Sequence, residues 1–142
     1  MFMSEKEKTE LYNLLESWTN DPQNNKSAFF KLRDNLMEKK DAILTFKSRP
    51  GVSYSFRASL DKHGESKLFV MVDIIDDDPE DRWLSVCFYG DMITDPDEVG
   101  NLIPQGLLGE DGYCFDIYKY DESTVSYVEQ RIDEAYAKTL DY

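Results

Sequence analysis

Apolar residues in the first 40 positions recur every three or four residues, which is the spacing of one face of an α-helix. These apolar positions are Leu11, Leu14, Leu15 and Trp18 in residues 4–18, and Phe29, Leu32, Leu36 and Met37 in residues 27–40. The polar stretch TNDPQNN separates the two segments, and EKK closes the second one, where a helix dipole favours cations. The pattern predicts two N-terminal amphipathic helices.

After residue 40 the apolar positions alternate, which is typical of β-strands. The alternating segments are residues 41–48, 52–60, 67–75, 82–89 and 113–120. Between the first four of them lie SRPGV, DKHGES and DDDPED, which contain the Gly, Pro and Asp residues that turns need. The pattern predicts an antiparallel meander of about five strands.

A last helical stripe begins at Asp121 or Ser123, which are both good N-cap residues. Its apolar positions are Val125, Val128, Ile132, Ala135, Tyr136 and Leu140. Helices at both ends and antiparallel strands between them predict one α+β domain over residues 1–142. In this two-layer sandwich, the N-terminal helices and the C-terminal helix cover one face of the sheet.

The alternation also assigns each strand residue to a face of the sheet. The predicted covered face holds Phe46, Tyr54, Phe56, Val70, Val72, Leu84, Val86, Phe88, Phe115 and Ile117. The predicted open face holds Arg57, Phe69, Met71, Asp73, Cys87, Tyr89, Cys114, Asp116 and Tyr118, together with the serines of the second strand.

The open face mixes apolar side chains with a few charged and hydroxyl groups, a combination found in both interfaces and ligand pockets. Three interpretations stay open: an ordinary half-solvated face with Arg57 paired to Asp73 or Asp116, a surface for a protein partner or a second copy, and a small-molecule site. The candidate binding residues are Arg57, Phe69, Met71, Asp73, Tyr89, Asp116 and Tyr118.

Residues 72–83, VDIIDDDPEDRW, contain six carboxylates and raise the question of a metal site. An EF-hand loop that started at Asp76 would need Gly at its sixth position and Glu at its twelfth, where this chain has Asp81 and Cys87. We therefore expect the solvated turn of a hairpin, with a divalent-cation site at Asp76, Asp78 and Glu80 as the weaker alternative.

Residues 90–112 contain five glycines and two prolines among apolar residues, and the pattern predicts a long loop. Asp95 and Pro96 have the N-cap and first-turn chemistry of one short helical turn. This segment is the candidate lid or partner-binding loop.

The formal net charge is −13, from 16 basic and 29 acidic residues. Such a field repels nucleic acid and anionic lipid, and no apolar run approaches the ~20 residues of a membrane-spanning helix. The N-terminus lacks the features of a secretion signal, so we expect a cytoplasmic protein. In a reducing compartment, Cys87 and Cys114 are expected to be buried or half-buried free thiols.

Catalytic motifs are lacking in the sequence. The single histidine, His63, lies in the turn DKHGES, and neither a dinucleotide-binding nor a P-loop glycine motif is present. Whether the chain is an enzyme stays uncertain, leaning towards no, and no cofactor is predicted. The expected function is a non-enzymatic interaction or self-association domain that uses the open sheet face and the loop of residues 90–112, with a small-molecule or divalent-cation binding protein as the alternative.

The stretches FKSRPGVSYSFRA, FVMVDIIDDDPEDRWLSVCFYGDMITDP and GLLGEDGYCFD resemble an uncharacterised group of small acidic bacterial proteins, a likeness over residues 42–139 that implies no activity. In topology alone, the helices and the closing YVEQRIDEAYAKTL helix are similar to the YjbR-like family, whose fold resembles frataxin. That family is linked with DNA binding through a basic surface, and frataxin binds iron on an acidic first helix. This chain has neither feature, so the resemblances transfer no functional residue.

Overall fold

A computed structural model describes residues 4–60 and 67–141, which form three α-helices, six β-strands and a short 3-10 helix. The elements are α1 (Glu5–Ser17), α2 (Asn25–Met37), β1 (Ala42–Arg49), β2 (Ser53–Leu60), β3 (Leu68–Ile75), β4 (Trp83–Tyr89), the 3-10 helix (Gly90–Met92), β5 (Asn101–Leu107), β6 (Glu110–Ile117) and α3 (Glu122–Leu140). The predicted α+β class is confirmed. The predicted turn that contains His63 lies outside the described residues.

All neighbouring strands are antiparallel, and their order is β1-β2-β3-β4-β6-β5. The chain meanders through β4, crosses to the edge of the sheet, forms β5 and returns as β6 between β4 and β5. The sheet therefore has six strands rather than about five. The additional strand lies in residues 90–112, where its Pro104 and Gly106 weaken the strand pattern and predict a loop.

Each helix begins where a side chain accepts hydrogen bonds from free backbone N–H groups. Ser4 and Glu7 form a capping box at α1, and Asp121 accepts from Ser123 N and Thr124 N at α3. Helix α2 begins two residues before the predicted Ser27, because the Asp21 carboxylate accepts from the first two N–H groups, at 2.8 and 3.1 Å.

The three helices cover one face of the sheet and form the main core with it. Every residue predicted for the covered face is buried except Tyr54, which is half-buried. Edge-to-face contacts between aromatic rings, such as Phe29 with Phe56 at 5.7 Å, add to the hydrophobic burial. The alternation in the sequence thus identified this face correctly.

The outer edge of β1 is closed by α1. Glu7 Oε1 accepts from Phe46 N at 2.8 Å, and Glu10 Oε2 accepts from Ser48 Oγ at 2.9 Å. Burial acts to raise the pKa of Glu7, but hydrogen bonds from Phe46 and Ser4 outweigh it and lower that pKa. Because free strand edges are templates for pairing with other chains, these contacts protect one edge of the sheet.

Candidate functional site

Phe69 does not lie on the open face, so its predicted position is wrong. Its side chain is 0% exposed, and its ring contacts Tyr136 of α3 at 5.6 Å. The β2–β3 register shifts here, because Ala58 is opposite Val70 but Ser59 is opposite Leu68. The resulting β-bulge gives β3 one extra residue, Phe69, and turns it into the main core.

One half of the open face is covered by the chain itself. Leu68, Met71 and Leu107 form a second small core there, with the half-buried Tyr89 packed against it. Leu107 ends β5, so the tip of the β5–β6 hairpin bends over this face. Met71 is consequently only 8% exposed, and the prediction of an exposed Met71 is wrong.

Cys87 and Cys114 are joined by a disulfide, so the prediction of two free thiols is wrong. The two residues lie directly opposite each other on β4 and β6. Opposed residues of neighbouring antiparallel strands have Cβ atoms close enough for such a bond. The bond links the two strands on the open face, beside the second small core.

The polar half of the open face surrounds Asp73. Asp73 lies opposite Ser55, whose Oγ accepts a hydrogen bond from Arg57 Nε at 2.9 Å. Burial raises the pKa of Asp73, although a hydrogen bond with Ser55 and the charges of Arg57 and Arg49 act in the opposite direction. Among the described residues Arg57 forms no ion pair within 4.0 Å, so the predicted pair with Asp73 or Asp116 is not formed.

Asp116 and Tyr118 lie on β6 and at its end. Tyr118 Oη donates to Asp116 Oδ2 at 3.2 Å, and the largely exposed Tyr118 ring packs on Trp83 at 4.6 Å. In the register, Ser85 of β4 separates Asp116 from Asp73. Carboxylates two strands apart are about 10 Å apart, which is too far to share a proton or a metal ion.

The acidic turn after β3 is organised by a buried ion pair. Asp76 accepts from Arg82 Nε at 2.7 Å and from Gly51 N at 2.8 Å, and the two charged side chains are 6% and 8% exposed. Asp78 caps the turn by accepting from Glu80 N. Within residues 4–60 and 67–141, no group of three or more His, Cys, Asp or Glu side chains could hold a metal ion.

Arg82 connects this turn to the helices. Its guanidinium lies 5.9 Å from the ring centroids of both Trp18 and Tyr54. Its carbonyl oxygen accepts from Asn25 Nδ2 at 3.0 Å, and the same amide group donates to Tyr118 O at 3.0 Å. The acidic stretch therefore joins the β1–β2 and β3–β4 turns to α2 and to the ends of α1 and β6.

Asp95 fixes the connection from β4 to β5. Its carboxylate accepts from Tyr127 Oη, from Tyr113 Oη at 2.8 Å, and from the backbone N–H groups of Val99 and Gly100 at 3.2 and 2.9 Å. Instead of the predicted helical turn, Asp95 begins a hydrogen-bonded turn that ends at Glu98. The connection is packed against α3 through Tyr127, which contacts both Asp95 and Asp97 N.

Replacement of Asp95 with Asn is expected to lower the free energy of unfolding by about 1 kcal/mol at neutral pH, allowing for solvent screening. Partial burial acts to raise the pKa of Asp95, but the hydrogen bonds from Tyr127, Gly100 and Tyr113 lower it to about 2 from 3.8. The contribution is therefore present above pH 3.8 and is lost as the pH falls towards 2. Urea unfolding from pH 2 to 7 measures this, with exposed Asp97→Asn as the control; equal losses in both variants would contradict the role of Asp95.

The β5–β6 hairpin exposes an apolar surface, which we call the hairpin patch: Val99, Leu102, Ile103 and Leu108. Leu102 and Ile103 are 57% and 42% exposed. Nine large apolar side chains are exposed in the described residues, and these are four of them. Exposed apolar side chains are therefore concentrated in this short segment. The patch lies within residues 90–112, the candidate lid or partner-binding segment, but the sequence pattern predicted a loop there and did not single out residues 99–109, which contain no charge in a chain with 32% charged residues.

The geometry of the hairpin exposes the patch on both faces of the sheet. Leu102 is opposite Tyr113, on the side of the helices, and Ile103 is opposite Gly112, on the other side. Leu108 and Gly109 form the turn, both with positive φ, 52° and 86°. Such values fit a two-residue hairpin turn of type I′, in which leucine is an unusual choice.

A groove between α1 and α2 has a volume of about 500 Å³. Leu44 and Phe56 of the sheet form its floor, and Tyr12 and Met37 are exposed at its rim. The volume suits a small apolar ligand.

Comparison with known proteins identified no relative: no family model matches the chain, and no curated protein or solved structure is similar to it. None of the described helices is both long and apolar enough to span a membrane. The resemblances drawn from the sequence therefore stay predictions.

Proposed function

We propose that the protein is a non-enzymatic interaction domain that docks a protein partner or a second copy through the hairpin patch. The observation that carries the proposal is an uncharged apolar surface on an edge strand of an otherwise strongly acidic chain. Exposed apolar patches and free strand edges are the two surface features that most directly favour association.

Of the polar residues on the open face, Asp116 lies on β6, the strand paired with β5, whereas Arg57 and Asp73 lie four and three strands away from β5. Arg57, Asp73, Asp116 and Tyr118 are half-buried or exposed there. The alternative of a small-molecule or divalent-cation site has less support, because Asp73 and Asp116 are two strands apart and Asp76 is already paired with Arg82.

A cytoplasmic location without nucleic-acid partners is also part of the proposal, since the net charge of −13 repels phosphate backbones. Cytosolic thiols are usually kept reduced, so this location implies that the link between Cys87 and Cys114 is open in the cell. Alkylation of free thiols in freshly lysed cells, followed by mass spectrometry, checks the location and the redox state together.

The Leu102→Asp variant is expected to weaken association at least about tenfold, which corresponds to about 1.4 kcal/mol, because it buries a charge in the contact. Val52→Asp is the matched control, since Val52 is 54% exposed and lies in the β1–β2 turn. Two measurements apply: sedimentation velocity of the chain over a wide concentration range, and affinities of peptides selected on the wild-type chain from a displayed random library.

The two variants separate the outcomes. Loss of self-association or of peptide binding in Leu102→Asp but not in Val52→Asp supports the proposal. A chain that stays monomeric and selects no peptide, or two variants that lose binding equally, contradicts it. Circular dichroism spectra and urea midpoints near those of the wild type ensure that unfolding is not the cause.

A further inference from the structure

The two edges of the sheet differ in whether their strand is open to pairing with a partner. Glu7 and Glu10 close the β1 edge, whereas β5 has only β6 beside it among the described strands. Beyond Ile103 the β5–β6 pairing becomes irregular, and Pro104 lacks an N–H group. The regular part of the open edge is therefore the short run Asn101–Ile103 and the residues just before it.

The hairpin patch favours an extended partner segment over a helix. Leu102 and Ile103 project from opposite faces of β5, directly beside its open edge. A strand added to this edge places its own side chains next to both, whereas a helix would cover only one face. Pro104 and the irregularity behind it also limit such pairing to a few residues.

The charge around the patch indicates the composition of that segment. From Trp83 to Tyr118 the chain has seven acidic residues and no Lys or Arg. Asp97 and Glu98 lie just before β5, and Glu110 and Asp111 lie just after the turn, so acids stand at both ends of a strand about 20 Å long. The centre of the patch is neutral and its ends are negative.

A second copy of this chain fits that pattern poorly. Antiparallel pairing of two β5 strands about a two-fold axis would bring the acids before β5 of one copy close to the acids after the turn of the other. Like charges placed together across an interface are unfavourable. The opposite arrangement, with basic groups at both ends of an apolar centre, is complementary.

We propose that β5 binds an extended segment of a different protein, with an apolar centre of about three to five residues flanked at both ends by Lys or Arg. This inference rests on the proposed interaction function and names the partner's chemistry. The apolar centre packs against the hairpin patch and pairs with the open edge, and the basic ends neutralise Asp97, Glu98, Glu110 and Asp111.

The test uses three synthetic peptides that share one β-branched apolar centre and carry paired Lys, Ser or Glu at both ends. Binding to the full chain is measured by fluorescence anisotropy at 50 and 500 mM NaCl. We expect the Lys-flanked peptide to bind at least about tenfold more tightly than the Ser-flanked peptide at low salt. The advantage should fall to about threefold or less at high salt, because salt screens exposed charges.

Charge reversal makes the test specific to the ends of β5. The variant Glu98→Lys with Glu110→Lys should lose the preference for Lys-flanked peptide and favour the Glu-flanked one. The matched control, Asp77→Lys with Glu80→Lys, changes the net charge equally at the exposed β3–β4 turn and should keep the original preference. Leu102→Asp should weaken binding of all three peptides.

The outcomes distinguish this inference from the function on which it rests. Equal binding of the three peptides, abolished by Leu102→Asp, overturns the basic-flank inference and leaves the interaction function standing. A dimer that Leu102→Asp dissociates, without peptide binding, also overturns it in favour of a second copy. A monomer that binds none of the three peptides overturns the inference, and it contradicts the interaction function as well when the displayed library also yields no peptide.

Discussion

Replacing Asp76 with Asn is expected to lower the free energy of unfolding by about 3–5 kcal/mol, the usual cost of removing one partner of a buried ion pair. The mutation leaves the Arg82 guanidinium buried without its counter-charge, between the rings of Trp18 and Tyr54. The shape of the side chain is retained, so the loss reports charge and hydrogen bonding rather than a cavity.

Urea unfolding at pH 7 measures this loss. Asp77→Asn is the matched control, since Asp77 is the exposed neighbour in the same turn and the same chemical change there should cost less than about 0.5 kcal/mol. Similar losses for the two variants would mean that the acidic turn acts through its total charge rather than through the pair of Asp76 with Arg82.

The same pair predicts a loss of stability in acid. Burial acts to raise the pKa of Asp76, but hydrogen bonds from Gly51 and Arg82 and the charge of Arg82 outweigh it, so the pKa is lowered from 3.8. A carboxyl group with a lowered pKa stabilises the fold above its ordinary value, and the contribution disappears as the pH falls through the lowered pKa. The difference in stability between wild type and Asp76→Asn should therefore shrink as the pH falls below 3.8, the ordinary pKa of the carboxyl group.

The sequence was sufficient to predict the layers of this fold because burial is periodic in its elements. The two-residue alternation of Val70, Val72 and Ile74 and the helical stripe of Val125, Val128 and Ile132 both mark sides that face the core. The N-cap of α3 at Asp121 was also readable. Each of these signals depends on residues close together in the chain.

The errors in the predicted site arise from contacts between distant segments. The alternation places Phe69 on the open face with Met71 and Asp73, and only the register with β2 shows the bulge that turns it inward. Asp76 has the same chemistry as its acidic neighbours, and what distinguishes it is the position of Gly51 and Arg82 in the folded chain. Neither the inward position of Phe69 nor the pairing of Asp76 can be derived from the local sequence pattern.

The edge strand β5, which carries the hairpin patch, was missed for a different reason. Glycine and proline in residues 99–109 predict a loop, and an edge strand with one neighbour requires little strand propensity. The usable signal was charge rather than hydrophobicity, because eleven uncharged residues between acidic flanks are unusual in this chain. This run narrows the candidate partner-binding segment of residues 90–112 to residues 99–109.

The disulfide gives the second large expected effect. Replacing Cys87 and Cys114 together with Ser should lower the free energy of unfolding by about 3 kcal/mol, because the bond restricts the unfolded chain across a separation of 27 residues. Treatment of the wild-type chain with dithiothreitol should cause a similar loss, since it removes the same restriction without changing the sequence.

The double Ser variant is the control for the reductant, because dithiothreitol should leave its urea midpoint unchanged. Binding of peptides selected on the oxidised wild-type chain provides a second reading, since the bond ties β6, the partner of β5, to β4. If reduction loosens that pairing, it weakens binding at the hairpin patch together with stability, and the redox state of the compartment would then control the interaction. A purified, air-oxidised chain with two free thiols and a reductant-insensitive midpoint would contradict the bond itself, and the stability of β4 with β6 would then rest on strand pairing and core packing alone.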